Sequence, residues 1–177
     1  MSRHVSLRDQ FNNAIQLLKN SVTRINVKSG IPLASWTEKK IALDHAEKDR
    51  VANNRKPRTV KRGNIYYAYL GKNIGSEQGG YRPVIVVQRK KNNVTSPTVI
   101  IVPLTDAYDN NGNAKYVYDT QHLVSQVKNP FLSKDSIAKT EYVRSISKNR
   151  LIDFIGSLDK TDLDEIDKCL KTSLSLT

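Results

Sequence analysis

The stretch from Arg62 to Gln88 constrains the fold most, because it predicts two strands joined by a polar, glycine-rich loop. Residues 65–70 alternate in the period-2 pattern of a half-buried strand. Val84 to Val87 form a continuous β-branched run, which is typical of a strand buried on both faces. The segment between them, Gly71 to Gly80, is too polar and too rich in glycine to pack as core, so we expect a loop there.

An arginine follows this loop closely, next to two glycines that leave the backbone exposed. Glu77 is the acid of the loop, and Arg82 follows within a few residues. Gly79 and Gly80 have no side chains, so a bulky polymer can approach the backbone at that point. Pro83 fixes the backbone just after Arg82 and biases Arg82 itself toward an extended conformation.

The remainder of the chain after Gln88 predicts more strands and a closing helix. The expected elements are strands at Thr98–Leu104, Tyr116–Tyr118, Ser136–Val143 and Leu151–Leu158, and a helical turn at Ser147–Arg150. Thr161 is followed by Asp164 three residues later, which predicts a helix capped at Thr161. This part of the sequence therefore indicates a mainly β domain closed by one helix.

The first 58 residues have a different character, because their apolar residues recur three or four positions apart. We predict one amphipathic helix from Ser6, as its N-cap, to about Ile25. Lys28 to Pro32 predicts a turn, after which Ser35 begins a second helix. Asn53 to Thr59 is polar and basic and is interpreted as a linker.

Several segments resemble one known family. The sequence GSEQGGYRPVIVVQ at 75–88 is similar to the central motif of the MazF/PemK toxins of toxin–antitoxin systems, and the resemblance continues through SPTVIIVPLT at 96–105 and KDSIAKTEYVRSISKNRL at 134–151. It covers roughly Lys61 to Thr177. It implies an SH3-like β-barrel with a C-terminal helix, so we expect an α+β chain with a helical arm and linker at 1–58 and a barrel at 59–177.

The same resemblance implies a function. Proteins of this kind are homodimers that cleave single-stranded RNA without a metal or cofactor and are inhibited by a protein antitoxin. A formal charge of +12 agrees with a polyanionic partner. One cysteine excludes an intramolecular disulfide, no apolar run is long enough to span a membrane, and no secretory leader is visible, so we expect a cytoplasmic protein without a membrane partner.

Three residues are the expected catalytic groups. The family places an essential arginine where Arg82 stands, and paired guanidinium donors match two phosphate oxygens. Thr105 matches a family threonine thought to touch the scissile phosphate, and a hydroxyl can donate to a developing oxyanion. Glu77 has two readings that the residues leave open: it accepts the 2′-hydroxyl proton, or it holds Arg82 in place.

Further residues are expected to contact RNA. Lys72, Ser76 and Gln78 border the predicted groove within the loop, and Arg144 lies near its continuation. Lys139 and Glu141 are two residues apart, so on one strand they share a face and converge on one phosphate. The three histidines are scattered and lack ligand spacing, so we predict no metal site.

Alternatives from other classes remain open at this point. The barrel is either a nuclease, a non-cleaving RNA- or protein-binding module, or a gyrase-directed toxin of the same architecture. The first 58 residues carry 12 basic and five acidic side chains. They act as a packed structural hairpin, as a covalent imitation of an antitoxin segment, or as an RNA-binding arm.

Overall fold

The computed structural model describes residues 6–176. This part of the chain divides into two compact units, one ending at His45 and the other beginning at Ala46. This division lies within α2, so it does not test the predicted domain boundary between residues 58 and 59, which remains a prediction. Residues 1–5 of the first predicted domain and Thr177 of the second lie outside the described residues. Within residues 6–176, no helix combines the length and apolar character needed to cross a bilayer.

The first unit contains α1 (Leu7–Arg24) and most of α2 (Val27–Ala52). Ser6 is the N-cap of α1, since its hydroxyl oxygen accepts a hydrogen bond of 3.1 Å from the amide of Asp9. The predicted first helix is confirmed.

The start of the second helix was predicted wrongly. We expected a turn at Lys28–Pro32 and a start at Ser35, but α2 already begins at Val27 and has Pro32 inside it. The side chain of Asn26 accepts a hydrogen bond of 3.2 Å from the amide of Ser29, so Asn26 caps the helix earlier than Ser35 would. Buried Gly30 lies within this helix rather than in a turn, and a Cβ there would be at an ordinary contact distance of 3.5 Å from the Ile25 side chain.

Within the second unit, the described residues form one antiparallel sheet of seven strands with the order β4-β5-β3-β2-β1-β7, and β6 also pairs with β3. The strands are β1 (Asn64–Gly71), β2 (Gly80–Val86), β3 (Thr98–Asp106), β4 (Gln121–Val124), β5 (Ser136–Lys139), β6 (Arg144–Ser147) and β7 (Leu151–Ser157). Short 3₁₀ turns lie at Lys90–Asn93, Thr140–Tyr142 and Lys148–Arg150. The sheet is open and barrel-like, and α3 (Lys160–Ser173) follows β7. The predicted α+β class with an SH3-like barrel, a terminal helix and an N-terminal helical pair is confirmed.

Alternation along the strands divides the buried residues into two cores. One contains Tyr66, Ala68, Val84 and Val86, while Ile65 and Ile85 belong to the other together with Ile166 of α3. Both faces of β1 and β2 are therefore covered, as expected from the continuous apolar run in β2.

Strand β3 lies between β2 on one edge and β6 and β5 on the other, and the point where its pairing with β2 ends positions the site. Ile101 to Pro103 pair with β2, whereas Leu104 to Asp106 pair with β5. The end of β3 thus leaves β2 just where β2 begins, which opens a gap between Arg82 and Thr105.

Three local predictions were wrong. Tyr116 to Tyr118 form no strand. The strand predicted at Ser136–Val143 ends at Lys139, because a 3₁₀ turn at Thr140–Tyr142 separates it from β6; the hydroxyl of Thr140 is tied to Thr120 and Ser173, 2.6 and 2.5 Å away. The cap of α3 is Asp159 rather than Thr161, since the Asp159 carboxylate accepts a hydrogen bond from the amide of Asp162 at 2.8 Å.

Candidate nucleic-acid cleavage site

Arg82 lies on β2 and is held by the loop that precedes it. Its Nε donates to the carbonyl of Gly79 at 2.6 Å, and its Nη1 donates to Oε1 of Gln78. Gly79 must be glycine here, because a Cβ at this position would lie 2.5 Å from the carbonyl oxygen of Gly71. The backbone of the loop therefore approaches itself closely, and the loop presents one backbone acceptor and one side-chain acceptor to the guanidinium of Arg82.

Gln78 joins Arg82 to a second arginine from β6. The carbonyl of Gln78 accepts hydrogen bonds of 2.7 Å from Nη2 of Arg144 and from the side chain of Asn73. One residue thus contacts both arginines, through its side chain on one side and its backbone on the other. Gln78 therefore holds two positive charges close together in space, although Arg82 and Arg144 are 62 residues apart in the sequence.

Burial lowers the pKa of the guanidinium groups of both Arg82 and Arg144, and at Arg144 it is the main one of several causes. The neighbouring positive charges of Arg150 and Arg82 add to this effect at Arg144, whereas the charge of Glu77 opposes it. Both side chains remain cations at neutral pH, and a partly desolvated cation attracts an anion more strongly than an exposed one.

The loop forms one wall of a cleft of about 310 Å³, which we name the loop cleft. It is lined by Gly71, Lys72, Asn73, Gly75, Glu77, Gly79, Gly80 and Arg82. Of the predicted residues, Lys72, Glu77 and Arg82 are therefore brought together, and Gln78 and Arg144 contact this group. Ser76 lies exposed in the same loop but does not line the cleft.

The gap between the start of β2 and the end of β3 is a second cleft of about 280 Å³, which we name the strand cleft. It is lined by Tyr67, Arg82, Pro83, Leu104, Thr105, Asp106, Phe131, Leu132, Ser133, Lys134, Ser136 and Ile155. Arg82 belongs to both clefts, and Thr105 shares the strand cleft with it. The predicted arginine and threonine therefore border the same concave surface.

Lys139 and Glu141 do not line either cleft. Their ends are 3.7 Å apart, but Glu141 lies on the 3₁₀ turn after β5, so the shared strand face that we expected does not exist. Glu141 accepts a hydrogen bond of 2.6 Å from Gln121, and Lys139 lies 5.3 Å from the ring centre of Tyr142. Their proximity is that of a local ion pair.

Several lining residues were missed by the sequence analysis. Lys134 donates to the carboxylate of Asp106 at the rim of the strand cleft, and this contact is the main cause of the lowered pKa of Asp106. Tyr67 and Phe131 supply its aromatic surface. A carboxylate directly after Thr105 was visible in the sequence, but nothing in the sequence relates it to Lys134, 28 residues later.

Comparisons with known proteins agree with this architecture. Residues 61–174 match the family described as PemK-like, MazF-like toxin of type II toxin–antitoxin system. The endoribonuclease EndoA of Bacillus subtilis (strain 168) is 39% identical over 117 residues, which is 66% of this chain and 96% of that protein. The endoribonuclease MazF of Staphylococcus epidermidis is 37% identical over 117 residues, covering 66% of this chain and 92% of that protein.

Solved structures share the fold at lower identity. MazF from Deinococcus radiodurans superposes with a TM-score of 0.55 at 18% identity, covering 67% of this chain and 98% of that one. An endoribonuclease from a mycobacterial species gives 0.53 at 18% identity, with 68% and 95% coverage. A mycobacterial endoribonuclease solved in complex with its cognate antitoxin gives 0.52 at 19% identity, with 67% and 98% coverage. The family match spans well over half of the sequence, and this chain belongs to the PemK-like, MazF-like toxin family of type II toxin–antitoxin systems.

Proposed function

We propose that this chain is a toxin-type endoribonuclease that cleaves single-stranded RNA at specific sequences. The reaction is attack of a ribose 2′-hydroxyl on its own phosphodiester, without a metal, and it leaves a 2′,3′-cyclic phosphate and a 5′-hydroxyl. The observation that carries the proposal is the position of Arg82, which lines both clefts and is oriented by Gln78 and Gly79.

Arg82 stabilises the charge that develops on the phosphoryl oxygens. Its Nε and Nη1 are bound to the loop, and among residues 6–176 no acceptor contacts Nη2, which is therefore left for a phosphate oxygen. A donor that is fixed before the substrate arrives costs no reorganisation when charge develops. Thr105 borders the same cleft and supplies a hydroxyl donor.

Glu77 is the proposed base for the 2′-hydroxyl proton. It is exposed on the loop cleft, where a carboxylate can reach a bound ribose. The alternative, that Glu77 holds Arg82, is less well supported, because the contacts of Arg82 go to Gln78 and Gly79. Lys72, Ser76 and Arg144 contact the RNA backbone along the loop.

A protein antitoxin is the proposed inhibitor and a homodimer the proposed assembly. Support comes from family membership and from the relative that was solved in complex with its cognate antitoxin. The antitoxin would occupy the surface on which the RNA lies.

Cleavage of defined single-stranded RNAs tests the proposal. Arg82→Ala is expected to lose at least about 10²-fold in rate, the size of effect seen when one oxyanion donor is removed. Arg89→Ala is the matched control, because Arg89 is an exposed arginine just beyond the other end of β2. Activity in excess EDTA equal to that with Mg²⁺ is expected. Equal cleavage by wild type and Arg82→Ala would exclude this site.

The role of Gln78 is tested separately. Gln78→Leu removes the side-chain acceptor of Arg82 but keeps the carbonyl that binds Arg144. If Gln78 positions Arg82, kcat falls by about 10²-fold and KM changes little, since a misplaced catalytic group affects the chemical step. A rise in KM at constant kcat would instead show that Gln78 only binds RNA. Gln126→Leu, an exposed glutamine outside both clefts, is the control.

A further inference from the structure

We propose that residues 115–119, which we name the tyrosine segment, pair antiparallel with the same segment of a second copy of this chain, about a twofold axis at Val117. This inference rests on the homodimer of the proposed function and names the residues of one contact across it, but it does not depend on RNA cleavage. The sequence predicts a strand at Tyr116–Tyr118, yet this part of the chain pairs with no strand among residues 6–176. A strand from a second copy supplies the missing partner.

The tyrosine segment is held at both ends and open in the middle. The amide of Lys115 donates to the carbonyl of Ala107 at 2.8 Å. At the other end, the carbonyl of Tyr118 accepts a hydrogen bond of 2.9 Å from the first amide of β4. Between these anchors, the backbone groups of Tyr116 and Val117 have no hydrogen-bond partner in the described part of the chain. A segment fixed in place before its partner arrives loses little conformational freedom on pairing.

Two tyrosine rings stand side by side on the surface of this segment. Tyr116 and Tyr118 are 76% and 58% exposed, and their ring centres lie 4.9 Å apart with the planes at 72°. Residues two apart in an extended chain point to the same side. In the paired arrangement Tyr116 lies opposite the partner's Tyr118, so four rings form one cluster, and cross-strand aromatic pairs of this kind stabilise a sheet.

The charges at the two ends identify the occupant as a second copy. The segment reads Lys-Tyr-Val-Tyr-Asp, so antiparallel pairing about Val117 places exposed Lys115 opposite the partner's Asp119 at both ends. A parallel pairing would instead place lysine opposite lysine and carboxylate opposite carboxylate. The Lys115 amine donates to the carbonyl of Asp106 at 2.9 Å, and an ammonium group has three donors, so two remain for a carboxylate. A twofold interface requires this kind of self-complementary surface.

The tyrosine segment is one part of a larger contact. Stable interfaces bury roughly 20–30 residues a side, so five residues add to a dimer rather than hold one together. Strand β4 follows the segment and ends the strand order of the sheet, and its Leu123 is 43% exposed. Apolar surface therefore continues past the segment along an outer edge of the sheet, which is where strands of separate chains pair.

Cysteine cross-linking tests the position of the axis. Val117→Cys is made in the full chain together with Cys169→Ala, because Cys169 is the one native cysteine. Antiparallel pairing brings the Cβ atoms of the two copies of residue 117 to about 4.5–5.5 Å, close to the spacing that a disulfide needs. Oxidation by copper phenanthroline is expected to give a covalent dimer on a non-reducing gel, and reduction should reverse it.

The matched control is Val127→Cys in the same background. Val127 is 92% exposed and lies outside the tyrosine segment, so random collisions would cross-link it at least as fast as residue 117. We expect this variant to stay monomeric on the gel. Equal cross-linking of the two variants, or none at residue 117, would overturn the pairing.

Charge reversal tests the register. Lys115→Glu and Asp119→Lys each place like charges opposite one another at both ends, so each should raise the dissociation constant of the dimer by about tenfold at low salt. The double variant Lys115→Glu/Asp119→Lys restores opposite charges and should return close to wild type. Lys91→Glu, at an exposed position of another turn, controls for net charge. Sedimentation equilibrium measures all four, and a double variant weaker than either single variant would contradict the register.

The same measurements separate this inference from the proposed function. A wild-type protein that stays monomeric would exclude the proposed homodimer and the pairing with it. A dimeric wild type without cross-linking at residue 117 would exclude the pairing alone. If Tyr116→Ser/Tyr118→Ser leaves the dimer unchanged but weakens binding of a defined single-stranded RNA in fluorescence anisotropy, the rings contact RNA instead and the pairing is overturned.

Discussion

The helical arm, meaning α1 and the part of α2 before Ala46, and the unit from Ala46 onward differ in what holds them together. Helix α1 contains no buried residue, and the one buried residue of α2 is Gly30. In β1, by contrast, six of eight residues are buried. The arm exposes apolar side chains such as Leu7 and Phe11, at 84% and 64%, whereas Ile85 of β2 is fully buried.

This difference shows two ways in which a sequence specifies structure. The helices of the arm follow from near neighbours in the chain, with Ser6 and Asn26 as caps and apolar residues in a helical repeat. The sheet follows from pairings between distant residues and from two shared cores. We therefore expect substitutions in the sheet to have large, cooperative effects and those in the arm to have small, local ones.

The chain offers separate optical probes for the two regions. Its single tryptophan, Trp36, lies in the arm, and all eight tyrosines lie at or after Tyr66. Near-ultraviolet circular dichroism can therefore follow each region in one sample.

The largest expected effect is at the centre of the sheet. Ile85→Ala should lower the free energy of unfolding by about 2–5 kcal/mol, because it leaves a cavity in a core that also contains Ile65 and Leu104. Phe11→Ala in the arm should cost within about 0.5 kcal/mol, as surface substitutions do. Urea unfolding followed by the tyrosine signal measures the loss in the sheet, and the same unfolding followed by the signal of Trp36 measures the loss in the arm. Comparable losses would show that the exposed stripe of α1 is packed in solution.

A smaller loss in the free energy of unfolding is expected at Gly156, which lies against the ring of Phe131. Gly156→Ala places a Cβ against Phe131 and should cost about 1–3 kcal/mol, as overpacking does. Gly75→Ala is a useful contrast, because nothing lies within 4 Å of a Cβ there; its cost comes only from a positive φ of 55°. Thermal unfolding compares the two. A larger loss for Gly75→Ala would contradict the tight packing of Phe131.

Within the arm, we expect the N-cap residue Ser6 to make the largest single contribution to helix stability. Ser6→Ala removes the acceptor of the Asp9 amide and should destabilise α1 by about 1 kcal/mol. Ser21→Ala, in the last turn of the same helix, should slightly increase helicity because alanine has the higher propensity. Far-ultraviolet circular dichroism measures both effects. A shift of the tyrosine transition with Ser6→Ala would show that arm and sheet unfold together.

The smallest expected effect on the free energy of unfolding comes from Lys148 and depends on pH. Lys148 is 2% exposed, and its amine donates to the carbonyl of Asn93 at 2.6 Å; burial lowers its pKa from the ordinary value of 10.5. The unfolded chain therefore keeps this proton to higher pH than the native protein does. The free energy of unfolding should thus gain from this group as pH rises through its native pKa toward 10.5, and lose that gain as pH falls.

Lys148→Met isolates this contribution. Its stability relative to wild type should decline across that alkaline window, because only the wild type gains from losing the proton. Lys91→Met, at an exposed position in the turn that contains Asn93, should show no such trend. A constant difference between wild type and Lys148→Met at all pH values would mean that burial does not perturb the amine.

Local sequence by itself determined much of this protein. Ser6 and the apolar repeat specify α1, the β-branched run specifies a strand covered on both faces, and Gly79, Gly80 and Pro83 specify a rim that ends in an extended arginine. These features depend on backbone preferences and side-chain periodicity within a few residues, so they can be read from a short window of sequence. The resemblance to the family indicated Arg82 through the motif at 75–88 and Thr105 through the segment at 96–105.

Tertiary structure decided the rest. Gln78 contacts Arg144 and Lys134 contacts Asp106 only because the sheet places β6 and β5 along the edge of β3 opposite β2. Lys139 and Glu141 were misplaced because a 3₁₀ turn, tied to Ser173 of α3, interrupts the strand. Such contacts join residues tens of positions apart, and their energy depends on register and packing across the whole sheet, which no local pattern contains.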